Sequence, residues 1–180
     1  GFETVTLAYE GGIDHRDSHG GGGTIQAGDV QWMTAASGVV HEEKHSKAFA
    51  ASGGRFEMVQ LWVNLPARLK MTTPRYQALA GASFPKLSFN GVSGRLIAGS
   101  LQGQTGPAKT HSPVTVFDLD WTEPGRVQFG LDPGSTTLIF VLRGQAQAQG
   151  DQPLHARELA VLDRDSTGTV QLEGDTNTRI

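Results

Sequence analysis

The chain has 180 residues, enough for one or two compact domains, and its 15 Lys and Arg residues nearly balance its 18 Asp and Glu residues. That balance argues against direct nucleic-acid binding, and the absence of cysteine excludes disulfides, thiolate catalysis and cysteine-ligated metal clusters. No apolar run is long enough to span a bilayer, so we expect no membrane partner, and the lack of cysteine mildly favours a cytoplasmic protein.

The first half of the chain is predicted to be a series of short strands separated by polar turns. Thr and apolar residues alternate over residues 2–9, as in a half-buried strand. The glycine-rich stretch DHRDSHGGGG that follows indicates an exposed hairpin tip. Further strands are predicted at residues 30–33, 39–40 and 58–65. Residues 73–77 are predicted to open a short helix.

The second half repeats this character and predicts an all-β protein. Strands are expected at residues 95–98, 114–121, 127–131, 136–142 and 159–162, with turns at EPG, DPG and DRDSTG. The stretches TLAYEGGI and TLIFVLRGQA both run from Thr-Leu through an aromatic residue to a Gly-bounded turn. This similarity predicts two small β-barrels in tandem.

The stretch GVVHEEKHS contains the strongest candidate for a chemical site. If its backbone is extended, His41 and Glu43 project to one face and Glu42 to the other. An imidazole nitrogen and a carboxylate oxygen suit a transition-metal ion. Two other interpretations stay open at this point. The stretch can be an exposed polar loop, or a helical turn that brings His41 to His45, although Gly38 and two valines disfavour a helix.

The other histidines and the tryptophans are predicted to be structural. Surface positions are expected for His15 and His19 in the predicted hairpin tip, His111 in a connector and His155 in a loop. Core positions are expected for Trp32, Trp62 and Trp121, which lie in strand-like runs. The later stretch ELAVLDRDSTGTVQLEG contains no histidine, so the second barrel is expected to bind no metal.

Five motifs carry a family resemblance. They are GFETVT at residues 1–6, GDVQWMTA at 28–35, GVVHEE at 38–43, LWVNLP at 61–66 and KMTTPRYQ at 70–77. In sequence, order and spacing they closely resemble the pirin family of the cupin superfamily. Over the second half the resemblance rests on strand order and turn placement.

The resemblance implies a bicupin, with an N-terminal cupin at residues 1–84 that holds one metal ion and a metal-free C-terminal cupin at residues 85–180. Three histidines and a glutamate bind the metal in this family, and the last two ligands fall on His41 and Glu43. Glu3 matches the glutamate of the first cupin motif and is expected beside the site. In that position it is expected to tune the metal or to accept a proton. The other two histidines belong to a His-Pro-His-Arg segment that precedes GFETVT in the family. The chain is therefore expected to be truncated at its start, and also at its end.

The resemblance also implies a function. The first hypothesis is a metal-dependent dioxygenase that cleaves quercetin-type flavonols with O2. The metal is one divalent transition ion, with iron expected before nickel, manganese, copper or zinc. The alternative is a metal-dependent regulatory protein that binds a transcription factor or an enzyme without turnover. A third reading is a metal-free scaffold.

Overall fold

The computed structural model describes residues 1–148, 152–163 and 168–180, and most of them lie in antiparallel strands. The chain divides into two units. Unit 1 comprises Gly1–Phe84 and Pro107–Val114, and unit 2 comprises Pro85–Gly106 and Thr115–Ile180.

Unit 1 contains seven strands and one short helix. They are β1 (Phe2–Glu10), β2 (Gly12–Asp17), β3 (Gly22–Gln26), β4 (Val30–Thr34), β5 (His41–His45), α1 (Lys47–Ser52), β6 (Glu57–Asn64) and β7 (Arg75–Leu79). Two turns of 3₁₀ helix lie at Ala67–Leu69 and Gly81–Ser83. The strands form two sheets. Sheet A has the order β6-β1-β4-β7, and sheet B has the order β3-β2-β5.

The register of sheet A separates its side chains onto two faces. Thr6 of β1 lies opposite Gln31 of β4 and Gln60 of β6, so these three polar residues share one face, which we call the Thr6 face. Val5 lies opposite Trp32 on the other face, and both are fully buried. Because side chains alternate along β1, each sequence neighbour of Thr6 points away from the Thr6 face.

The described residues of unit 2 form eleven short strands. They are β8 (Lys86–Phe89), β9 (Val92–Ala98), β10 (Ser100–Leu101), β11 (Gln104–Thr105), β12 (Val116–Trp121), β13 (Gly125–Gly130), β14 (Leu138–Phe140), β15 (Gln145–Ala148), β16 (Gln152–His155), β17 (Leu159–Val161) and β18 (Thr169–Gly174). Their sheets are β12-β9-β8, β13-β18-β15-β16, β14-β17 and β10-β11. An apolar core that includes Leu96, Leu119, Trp121 and Leu172 joins strands of several of these sheets.

Several predicted elements differ from the observed ones in unit 1. The stretch DHRDSHGGGG is mostly not a hairpin tip, because it supplies most of β2 and the start of β3. No strand covers residues 39–40, where Val40 is 78% exposed just before β5 begins. The predicted helix at residues 73–77 is wrong, since Arg75–Leu79 pairs with β4 as an edge strand.

Other predictions are confirmed with small shifts of their ends. The strands at residues 2–9, 30–33 and 58–65 correspond to β1, β4 and β6, and the five strands of the second half correspond to β9, β12, β13, β14 and β17. Four residues of the predicted DRDSTG turn, 164–167, lie outside the described residues. Trp32 and Trp121 are buried as expected, whereas Trp62 is 72% exposed and stacks on Phe2.

The helix α1 has only six residues. Within the described ranges no helix has the length and apolar character needed to cross a bilayer.

The close approach of β9 and β12 depends on Gly94, which lies opposite Leu119. A Cβ at this position would overlap the carbonyl oxygen of Asp118 and lie 2.6 Å from Leu119 Cδ2. We therefore expect Gly94→Ala to lower the free energy of unfolding by about 1–3 kcal/mol in urea titrations. Gly130→Ala in β13 is the matched control, because a Cβ there would lie an ordinary 3.9 Å from its nearest neighbour, the carbonyl oxygen of Gly168. Equal stabilities for the two variants would contradict this packing.

Candidate metal centre

The strand β5 presents the predicted ligands on one face. His41 and Glu43 are two residues apart in an extended strand, so their side chains project to the same side of sheet B. In the register with β2, His41 lies opposite Asp17 and Glu43 lies opposite His15. The extended geometry predicted for the His-x-Glu pair is thus observed, and both the loop and the helical turn are excluded for these residues. Whether the pair binds a metal stays a prediction.

Glu43 crosses the gap between the two sheets of unit 1. Its Oε1 accepts a hydrogen bond from Gln31 Nε2 at 3.1 Å, and its Oε2 accepts one from Gln60 Nε2 at 3.0 Å. Gln60 Nε2 also donates to Thr6 Oγ1 at 3.1 Å. Because each carboxylate oxygen can accept more than one bond, both oxygens of Glu43 keep capacity for a further partner.

His15 is the residue that sequence reasoning missed. It was predicted to be exposed in a hairpin tip, but it lies inside β2 and is only 1% exposed. Its ring lies 5.7 Å from that of His41 and stacks on Tyr76 at 5.1 Å with an interplanar angle of 4°. Neither of its ring nitrogens has a hydrogen-bond partner among the described residues. A buried imidazole without partners is costly, which makes this ring a candidate to face a ligand.

The charges around this ring act in opposite directions. Burial lowers the pKa of His15, and His41 lowers it further, while the carboxylates of Glu43 and Asp17 raise it. Burial wins, so the folded protein favours the neutral imidazole, which is the form that binds metals.

Tyr76 closes the other side of the cluster. Burial raises the pKa of its hydroxyl, and the nearby carboxylates of Asp17 and Glu43 raise it further, so the hydroxyl keeps its proton. That hydroxyl lies 3.5 Å from Gln31 Oε1. A cleft of about 120 Å³, lined in part by Asp17, Met33 and Tyr76, opens beside it.

Glu3 is not brought to this cluster. It is fully buried and accepts a 2.7 Å hydrogen bond from Thr34 Oγ1, but it occupies the face of sheet A opposite to the Thr6 face. Glu43 contacts the Thr6 face, so the sheet separates the two carboxylates. Among the remaining histidines, His19 and His155 are exposed as predicted and His111 is partly exposed.

The donors in this part of the chain do not form a complete metal site. Within the described ranges no group of three or more His, Asp or Glu side chains is close enough to hold an ion. The donor chemistry nevertheless fits a transition metal, because one imidazole and one carboxylate share a strand face beside a second, unpartnered imidazole.

Comparison with known proteins places these residues in a family context. Residues 1–63 match the family Pirin. A Pseudomonas aeruginosa protein with a provisional assignment as quercetin 2,3-dioxygenase is 46% identical over 182 residues, which cover 100% of this chain and 63% of the relative. Pirin of Rattus norvegicus is 34% identical over 177 residues, which cover 96% of this chain and 58% of the relative.

A solved structure supports the same family. The crystal structure of quercetin 2,3-dioxygenase from Acinetobacter baumannii superposes with a TM-score of 0.94 at 44% identity, covering 99% of this chain and 62% of that protein. The predicted all-β fold of the bicupin class is confirmed. The chain spans about three fifths of the length of these three proteins.

The pKa of His15 predicts a pH dependence of stability. Its folded value lies below the ordinary value of 6.5, so the unfolded chain takes up the proton first as the pH falls. The neutral ring therefore contributes stability above about pH 6.5 that is lost below it, by up to about 1.4 kcal/mol per pH unit. In urea titrations between pH 7.5 and 5, we expect His15→Phe to remove this part of the slope and exposed His19→Gln to keep it. Parallel profiles for all three proteins would contradict the assignment.

Proposed function

The chain belongs to the pirin family, and on that premise we propose that it forms the metal-binding part of a flavonol dioxygenase. One observation carries the proposal. Glu43, which the family resemblance marks as a ligand, is held by two amides beside His41 and the buried, unpartnered ring of His15.

In this proposal His41 and Glu43 hold one divalent transition ion, with iron before nickel, manganese, copper or zinc. Two protein ligands are fewer than the three or four that such ions take, so further ligands are needed. We propose that a His-Pro-His-Arg segment placed before Gly1 supplies them. The strand register supports a source of ligands on the Gly1 side of the cluster. Tyr76 lies opposite Met33, and Met33 lies opposite Thr4, which is nearer to Gly1 than Thr6 is. The His15 and His41 rings therefore lie towards the start of β1.

The ion would act as a Lewis acid that lowers the pKa of a phenolic hydroxyl bound to it. The residues of the chain would do the rest. Two amide donors hold the Glu43 carboxylate, and the partly buried ring of Tyr76, stacked on His15, would contact a planar aromatic substrate. The substrate class is a small flavonol with O2 as the second reactant.

The exposed side of the cluster determines where such a substrate can enter. The cleft of about 120 Å³ beside Tyr76 is below the ~300–1,000 Å³ usual for small-molecule sites. His41 is exposed at the end of the cluster, so we propose that a flavonol reaches the cluster from that side. The cytoplasm is the proposed location, which rests on the cysteine-free composition.

A second candidate function is favoured by one contact. The exposed Trp62 donates its indole Nε1–H to Gln60 Oε1 at 3.1 Å, and Gln60 in turn donates to Glu43. This chain of bonds links an exposed aromatic side chain to the proposed ligand, as a metal-dependent protein that binds a partner without turnover would require. Trp62→Ala separates the two functions when metal is in excess. It should weaken partner binding in the second because the exposed ring is lost, whereas in the first any loss of flavonol turnover should match that of Gln60→Met and be restored by added metal.

Metal content tests the proposal directly. We expect the chain extended by His-Pro-His-Arg to purify with close to one equivalent of a transition metal by mass spectrometry and to oxidise quercetin. His41→Ala should lose most of the metal and the activity, because it removes a ligand, whereas His155→Ala in unit 2 should keep both. Metal in the His41→Ala variant at the parent level, or none in any of the proteins, would refute the proposed centre.

A further inference from the structure

The two amides on Glu43 are oriented by contacts of their own. Gln60 Oε1 accepts from Trp62 Nε1 at 3.1 Å, so its Nε2 must be the atom that faces Glu43. Gln31 Oε1 faces the hydroxyl of Tyr76, which likewise leaves Nε2 for Glu43. The donors are thus aimed at the carboxylate by partners outside it.

The two bonds come from different strands and reach different oxygens. Gln31 lies on β4 and binds Oε1, while Gln60 lies on β6 and binds Oε2, on either side of β1 in sheet A. A carboxylate held at both oxygens cannot rotate about its terminal bond without breaking one of them. Gln31 is also 1% exposed, so water cannot readily replace its amide.

The amides have two opposing effects on a metal bound to Glu43. Each hydrogen bond draws some charge from the carboxylate, which weakens the ligand slightly. Each bond also fixes the orientation before the ion arrives, which removes an entropic cost of binding. Loss of a second-sphere hydrogen bond typically weakens metal binding 10- to 100-fold, so the orienting effect dominates.

We propose that Gln31 and Gln60 are positioning residues that fix the Glu43 carboxylate and thereby set the metal affinity of unit 1. This inference rests on the proposed metal centre and adds to it the residues that determine its strength. Neither glutamine binds the ion in this account. Both act through Glu43.

The test measures Co(II) binding by competition with a chelating dye, together with the visible spectrum of the bound ion. It uses the 180-residue chain and the same chain extended by His-Pro-His-Arg. Gln31→Met and Gln60→Met keep the side-chain length and remove the amide donor. Gln77→Met is the matched control, because Gln77 lies in the same sheet but bonds to the backbone of Lys109.

We expect Gln31→Met and Gln60→Met each to raise the Kd for Co(II) by about 10- to 100-fold and to shift the visible bands, with Gln77→Met within about twofold of the parent. Gln60→Asn, which withdraws the amide by one methylene, should also weaken binding, and it provides a second variant if Gln60→Met does not fold. Parent-like Kd values in folded Gln31 and Gln60 variants, beside lost binding in His41→Ala, would overturn this inference alone. No Co(II) binding by the extended parent would overturn the proposed centre and this inference with it.

Discussion

The proposed metal centre depends on one contact, the Glu43 carboxylate held between the amides of Gln31 and Gln60. It joins the edge strand of sheet B to two strands of sheet A, and it places a carboxyl group in the partly buried space between them. Burial of a charge is unfavourable unless hydrogen bonds compensate for it, and here each oxygen has a donor. Both oxygens therefore have a donor within the protein and keep capacity for the cation that we propose.

The distribution of buried polar groups separates the two units. In the described part of the chain, unit 1 buries Thr4, Thr6, His15 and Gln31 on the sides of its sheets that surround Glu43. Unit 2 surrounds Trp121 with an apolar cluster, and its buried Asp118 pairs with Arg95 at 2.8 Å. A paired charge in a packed unit is satisfied within the protein, whereas the orphaned nitrogens of His15 are not. This difference supports the proposal that the chemistry lies in unit 1.

The sequence predicted the strands whose apolar residues alternate, and it predicted the face of β5, because a His-x-Glu pair in any extended strand points one way. The strands β2 and β3 were not predicted, because their glycines and polar residues conceal the alternation of apolar and polar side chains. The spacing of Ile13, His15 and Asp17 was the available signal, since all three share one face of β2. The helix predicted at residues 73–77 is wrong because Arg75–Leu79 pairs with β4 as a strand. The bonds from Gln31 and Gln60 to Glu43 join residues 12 and 17 positions apart, so only the tertiary fold could reveal them.

A crystal of the extended chain grown with Co(II), and measured at the cobalt absorption edge, would show whether His41 and Glu43 bind a metal ion. We expect one strong anomalous peak about 2.0–2.2 Å from a nitrogen of His41 and an oxygen of Glu43, with Gln31 and Gln60 still bonded to that carboxylate. An anomalous peak elsewhere in the chain, or no peak beside Glu43 in cobalt-soaked crystals, would contradict it.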